Sequence, residues 1–225
     1  MPLLLVLEDN PADLRIAANI ARRAGFSELE VNQYASDAKA YLEKANGGKV
    51  PADIKVDGDT LEASVIDPSS PRIFVNNPAR NEVDVINREM RSVEAIWPIH
   101  LATRNVAMAL DAAGHRLFVA CRSGKIVVLD SRTGKELQTL DIGSGVDDLI
   151  FDPATLRIYA STGAGTGSTA VYEERDPDHY EALAEVATAP GAKNEVLVPQ
   201  LDRYFTVVPP RQNATGFVYA YQVNK

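Results

Sequence analysis

Four stretches of this 225-residue chain align in phase: VIDPSSPRIFVN (65–76), ALDAAGHRLFVA (109–120), IFDPATLRIYAS (150–161) and LVPQLDRYFTVV (197–208). Each has a short apolar strand, a turn of four or five residues, an arginine, and a second strand with an aromatic near its start. The arginines Arg72, Arg116, Arg157 and Arg203 fall 44, 41 and 46 residues apart. A repeat this long is one supersecondary unit that buries its apolar surface by stacking on its neighbours.

Each repeat then supplies a third strand candidate, at 82–86, 125–129, 168–172 and 217–221. The first three add a fourth, at 93–99, 136–142 and 180–187. Four strands in roughly 40–45 residues is the period of a β-propeller blade. The expected blades span 54–99, 100–142, 143–187 and 188–225, the last without its outer strand. Residues 1–53 read differently. Leu3 to Leu7 is a continuous apolar run suited to a buried strand, followed by a helix signal with Asn10 as N-cap, Pro11 in the first turn and Gly25 at the end. A second strand (28–34) and a second helix from Ser36 to about Ala45 complete a β-α-β-α order. The expected fold class is therefore mainly β: propeller-type repeats of four-stranded antiparallel blades in 54–225, preceded by a short partial α/β segment in 1–53.

Composition narrows the function. The 31 Asp and Glu against 23 Lys and Arg give a net charge of -8. Nucleic acids and anionic membranes are bound largely through Lys and Arg, so neither is an expected partner. The single cysteine, Cys121, excludes an intramolecular disulfide and a Cys-based zinc cage. The run Leu3–Leu7 is shorter than the roughly 7–15 residues of a secretory h-region or the ~20 of a membrane helix, which points to the cytoplasm.

The stretch LLLVLEDNPADLRIAANIARRAGF resembles the beginning of a response-regulator receiver domain, through the acidic pair Glu8-Asp9 after the first strand and the helix start behind it. The resemblance implies a phosphorelay role, with Glu8 and Asp9 holding Mg²⁺ beside a phosphorylated aspartate. It covers about 50 residues and breaks at the third strand. There PADIKVDGDT offers Asp57 as the nearest phosphoacceptor, and the Ser/Thr and Lys of a receiver site have no counterpart downstream. Residues 54–225 resemble the YVTN-type, YncE-like bacterial β-propellers, through the four in-phase repeats and segments such as KIVVLDSRTGKELQTLDIGSGVDDLIFD. About four blades stand where that family has seven.

Propellers take ligands where inner strands begin. Aligning the repeats puts Glu62, Val106, Asp147 and Lys193 at one position, and Ala63, Ala107, Asp148 and Asn194 at the next. Glu62, Asp147, Asp148, Lys193 and Asn194, with Arg104 and Asn105 nearby, are the candidate mouth for a protein or a small polar ligand. Asp147-Asp148 offers hard oxygen ligands to a divalent cation. Gly163 to Gly167 lacks the helix and Lys-Ser/Thr of a phosphate loop, so an inter-strand turn is expected. Cys121 is expected to be buried and inert, and His179 to sit in a surface turn. No G-x-S-x-G marks a nucleophile elbow.

Three function classes follow: a non-catalytic binding or scaffold propeller with a degenerate receiver-like N-terminus, a phosphorelay receiver, and a propeller enzyme of lactonase or quinoprotein type. Ile54 to Asp57 resembles the outer strand of a preceding blade and could complete the last blade and close a four-bladed ring, although blades shaped for a sevenfold ring pack at the wrong angle for a fourfold one. The alternatives are an open arc, with self-association through its bare blade faces, or two chains sharing a larger ring.

Overall fold

The computed structural model describes residues 3–7, 28–32, 54–210 and 215–224. Strands β1 (Leu3–Leu7) and β2 (Glu28–Asn32) pair in parallel, Leu3 opposite Glu28 through Leu7 opposite Asn32. Parallel neighbours need a crossover between them, as the β-α-β reading requires. The helix expectations for 10–25 and 36–45 lie outside the described residues.

Four antiparallel sheets follow in chain order, each a meander in which every strand pairs with the next. Blade 1 holds β3 (Ser64–Ile66), β4 (Arg72–Asn77), β5 (Glu82–Asn87) and β6 (Ser92–Pro98). Blade 2 holds β7 (Asn105–Asp111), β8 (Arg116–Cys121), β9 (Lys125–Asp130) and β10 (Glu136–Asp141). Blade 3 holds β11 (Val146–Asp152), β12 (Arg157–Thr162), β13 (Ser168–Asp176) and β14 (His179–Ala187). Blade 4 holds β15 (Asn194–Val198), β16 (Arg203–Val208) and β17 (Phe217–Gln222), three strands among the described residues.

The first turn of each blade is built locally. Asp67, Asp111 and Asp152 accept the backbone N–H groups of Ser69, Ala113 and Ala154, an arrangement that short acidic side chains favour. The residue before the arginine is left-handed in blades 2 to 4, at His115, Leu156 and Asp202. Blade 4 has no aspartate at the start of this turn and closes with a 3-10 turn at Pro199–Leu201 instead.

Period-two alternation then sends successive side chains to opposite neighbours. On β8, Leu117, Val119 and Cys121 face blade 1, where they meet Phe74, Val83, Val85 and Trp97. Phe118 and Ala120 face blade 3, where they meet Val146, Leu149, Ile158 and Ala160. In blades 1 to 3 the aromatic after the arginine therefore packs on the following blade. Phe118 lies 5.5 Å from Phe151 and 5.7 Å from Tyr180, and Tyr159 stacks on Tyr204 at 5.5 Å.

The arginines themselves reach the following blade. Arg72 donates to the Arg132 carbonyl at 2.8 Å in the β9–β10 turn. Arg116 donates to the Pro177 carbonyl at 2.9 Å and the Asp178 carboxylate at 2.7 Å in the β13–β14 turn. Arg157 donates to the Asn224 carbonyl beyond β17.

Of the alternatives for the arc, closure of a four-bladed ring by Ile54–Asp57 is not what the described residues show. Ile54 to Asp57 forms no strand and no pairing with β17; the Asp57 carbonyl instead accepts from Asn77 Nδ2 at 2.8 Å, on blade 1. Packing runs from β3 and β4 to β7, from β7 and β8 to β11, and from β11 to β15; no comparable packing joins blade 4 to blade 1. A segment tethered to blade 1 cannot reach blade 4 unless the two end blades meet. The described blades form an open arc.

Glu174, 2% exposed, sits beside Arg116 with Oε2 unpartnered. Burial, aided by the nearby Asp111 charge, pushes its carboxyl up to about 7, against the pull of Arg116.

Two stability measurements check this account. Phe118→Ala should cost about 3–5 kcal/mol in urea unfolding, since it empties the joint between blades 2 and 3. Met90→Ala, at a 74% exposed turn, should stay within about 0.5 kcal/mol of the parent. Glu174→Gln tests the buried carboxyl. Below pH 4.5, its ordinary value, the acid is protonated folded and unfolded, and its contribution is intact. Between there and about 7 the unfolded chain loses the proton while the folded chain keeps it, so stability falls as pH rises and levels off above. The glutamine variant should remove that slope and exceed the parent by about 1–3 kcal/mol at pH 8. Parallel stability curves for the two proteins would refute it.

Candidate functional site

The inner strands begin at one end of the arc, and the side chains there come from strand starts and from the loops after second strands. Asp147, on β11, is the centre. One carboxylate oxygen accepts from Arg122 Nη2 and the other from Lys193 Nζ at 2.6 Å. Arg104, left-handed at φ 61°, stands on the same rim; its backbone N–H donates to Asn81 Oδ1 at 2.8 Å and its side chain reaches the Arg122 carbonyl at 3.4 Å. Two cations thus hold one carboxylate, and a third, Arg104, stands beside Arg122. Each is partly or fully exposed, so their electrostatics are screened by water and salt.

Four other sequence candidates fall in different roles. Glu62 is exposed, and the neighbouring Ala63 N–H donates to the Val106 carbonyl at 3.1 Å, joining blade 1 to blade 2. Asn105 is fully buried and donates to Asn76 Oδ1 and the Glu82 carbonyl, both at 2.8 Å; it fastens two blades and does not reach the rim. Asp148 accepts the Glu195 and Leu149 backbone N–H groups at 3.1 and 3.0 Å. Asn194 is exposed at the start of β15, its carbonyl taken by Thr206 Oγ1.

The cation site expected at Asp147-Asp148 is thereby occupied by the chain's own groups. Asp147 is neutralised by Arg122 and Lys193, and Asp148 is turned to backbone donors. Burial raises the Asp148 carboxyl above the ordinary range, with the Asp147 charge adding to it. Among the described residues no group of three or more His, Cys, Asp and Glu side chains gathers as metal ligands do.

Behind Asp148 lies a buried network absent from the sequence reading. Glu195, 6% exposed, receives a hydrogen bond from Tyr204 Oη, and Thr169 Oγ1 lies 2.8 Å from that hydroxyl. Burial first, and the Asp148 charge second, push the Glu195 carboxyl well above its ordinary range, in the direction that favours the neutral acid. Arg122 was missed as well, although a signal existed. The residue after the second strand is Pro78, Arg122, Gly163 and Pro209 in the four blades, and only blade 2 carries charge there.

The remaining candidates take ordinary places. Asp57 lies exposed outside any strand, 3.7 Å from Lys55, and Glu8 and Asp9 fall outside the described residues. Cys121 is fully buried, and burial pushes its thiol up to about 12. His179 is exposed and bonded to Asp176 at 2.9 Å, which raises its pKa. Gly163 to Gly167 forms the link between β12 and β13. Among the described residues no helix is long and apolar enough to cross a membrane.

No protein-family model matches the chain, and no curated protein matches its sequence. Solved structures match its fold. A hydrazine synthase chain of Kuenenia stuttgartiensis superposes with a TM-score of 0.65 at 14% identity, over 75% of this chain and 47% of that one. A chain of a mitotic checkpoint complex gives 0.60 at 13% identity, over 73% of this chain and 51% of that one. A putative 6-phosphogluconolactonase from Bacteroides uniformis gives 0.55 at 14% identity, over 73% and 55%. The chain spans about half the length of these proteins. Likeness at such identity shows the fold alone, and with the four meanders it makes this a chain of β-propeller-type blades.

Proposed function

We propose that the chain is a non-catalytic binding module of the YVTN, YncE-like propeller type, with a degenerate receiver-like segment in 1–53 ahead of the blades in 54–225. The observation that carries this reading is the charge at the rim. In a protein of net charge -8, Arg122 and Lys193 converge on the single carboxylate of Asp147 where inner strands begin, with the exposed Arg104 beside Arg122. The three cations outnumber that carboxylate, and they are exposed enough to be reached. A carboxylate-bearing partner, such as an acidic segment of another protein, fits it by charge. That one of the similar folds comes from a protein complex supports a protein as that partner.

Fluorescence anisotropy with a labelled hexaglutamate peptide at low salt tests this. Binding should weaken roughly tenfold in Arg122→Glu and with added salt. It should be unchanged in Lys135→Glu, an exposed cation in the β9–β10 turn. No binding by the parent, or equal binding by both variants, would overturn the reading.

The receiver alternative is tested on Asp57, which has Lys55 beside it but no strand under it. After treatment with acetyl phosphate and Mg²⁺, mass spectrometry should find no acyl phosphate on this residue. A phosphorylated Asp57 peptide would make phosphorelay signalling the primary function.

A further inference from the structure

The repeat defines what each blade expects on either side, and at the two ends of the arc those expectations go unmet. In blades 1, 2 and 3 the aromatic after the arginine, Phe74, Phe118 or Tyr159, is buried against the next blade. Its equivalent in blade 4, Phe205, is only half-buried. Pairing places Phe205 on one face with Val196 and Ala220, and Val196 is 43% exposed. The residue before the aromatic packs backwards: Leu117 on blade 1, Ile158 on blade 2, Tyr204 on blade 3. Its equivalent in blade 1 is Ile73, half-buried and paired with Ile66, which is 58% exposed.

Three polar and backbone features repeat the pattern. Arg72, Arg116 and Arg157 each donate to a carbonyl of the following blade, in the third-to-fourth strand turn or just after the third strand. Arg203 donates to its own turn, at the Asp202 carbonyl. By alignment with Arg132 in blade 2, the carbonyl that Arg203 would take belongs to Glu89 of a blade-1 turn, whose exposed carboxylate also matches it in charge. Next, among the described residues β17 has no outer neighbour in its sheet, and beside it lies a cavity of about 390 Å³ floored by Leu183, Val186 and Tyr221. This is where a fourth strand would lie. Finally, the step from Asp57 to Ser64 equals those from Pro98 to Asn105 and from Ala187 to Asn194, which lead from an outer strand into the next inner one. Residues 54–57 thus stand, relative to blade 1, where the outer strand of a preceding blade stands. They alternate apolar and exposed: Ile54 and Val56 half-buried, Lys55 and Asp57 exposed.

From these we infer that the occupant of both ends is a second copy of this chain: two chains join head to tail into one eight-bladed ring. Blade 4 of each packs Phe205 on Ile73 of the other. Arg203 takes the Glu89 carbonyl across the joint. Residues 54–57 of the other copy add the missing strand along β17, Ile54 and Val56 dropping into the cavity. The contact is heterologous, and its rotation closes after two copies, which leaves neither end blade with a bare face. It uses surfaces apart from the charged rim and stands independently of the rim's ligand.

Gel filtration with light scattering, over a tenfold concentration range, should give about twice the 24.4 kDa chain mass. Phe205→Glu and Ile73→Glu should each reduce it to one chain. Mixed in equal amounts they should regain a two-chain species, because one joint of the pair then has both faces intact. A single-chain parent, an assembly larger than two, or a parent dimer indifferent to both substitutions would overturn the ring. So would a mixture that stays monomeric while both variants keep the parent's far-UV circular dichroism. If either variant loses that spectrum, cysteines decide instead. Chains carrying Lys55→Cys mixed with chains carrying Ala220→Cys should form an interchain disulfide, and its absence would overturn the proposal.

Discussion

A sheet that is apolar on both faces needs a neighbour on each, and that requirement organises this chain. Strands β8 and β9 show it most fully: Leu117, Phe118, Val119 and Ala120, then Ile126 to Leu129, are shielded from water whichever way they point. Burial of this kind is worth about 1.5–3 kcal/mol per large side chain. It is available only if blades stack. Strand starts are then gathered at one end of the stack, which is why residues as distant in sequence as Arg104 and Lys193 come to share a rim.

The joints are not chemically uniform. Those between blades 1 and 2 and between blades 2 and 3 are aliphatic and aromatic, centred on Phe74 and Phe118. The joint between blades 3 and 4 places Tyr159 on Tyr204 and buries Glu195 with Thr169. A buried neutral acid contributes less than an aliphatic side chain of its size, but its hydrogen bonds accept fewer alternative packings. The arginine clamps act alongside, tying the outer part of each blade to the next through directional bonds to carbonyls.

Periodic features were legible in the sequence, and features crossing between repeats were not. The strands come within a few residues of expectation, β4, β8, β12 and β16 beginning at the repeated arginines. The antiparallel blades follow from the same phase. Asn105 shows the limit: next in sequence to a rim position, it points instead into the blade 1–blade 2 joint, because a polar residue at a strand start can serve ligand or neighbour with the same pattern. The Arg122–Asp147–Lys193 cluster draws one residue from each of three repeats, and the pairing of Glu195 with Tyr204 depends on cross-strand register. Alignment brings Asp147 and Lys193 to one repeat position, but their meeting with Arg122, and that of Glu195 with Tyr204, crosses between strands and has no period. Ile54–Asp57 resembles an outer strand by pattern, yet it forms none in the described blades, because a strand needs an edge within reach and β17 lies at the other end of the arc.

The unequal joints also set an order of folding. A stack of repeats gains its stability from nearest-neighbour interfaces, so structure can begin at any joint and spread. Here blade 2 contributes to both aliphatic joints, and its middle strands carry the longest run of fully buried residues in the described chain. It is the natural nucleus, from which blades 1 and 3 are recruited by short-range contacts, with blade 4 docking last on a surface of tyrosines. Unravelling runs in reverse. In the single chain, the backbone amides of β16 and β17 should therefore exchange with solvent through local openings that leave Leu117 to Cys121 untouched, a graded resistance that the arc loses once its ends are joined to a partner.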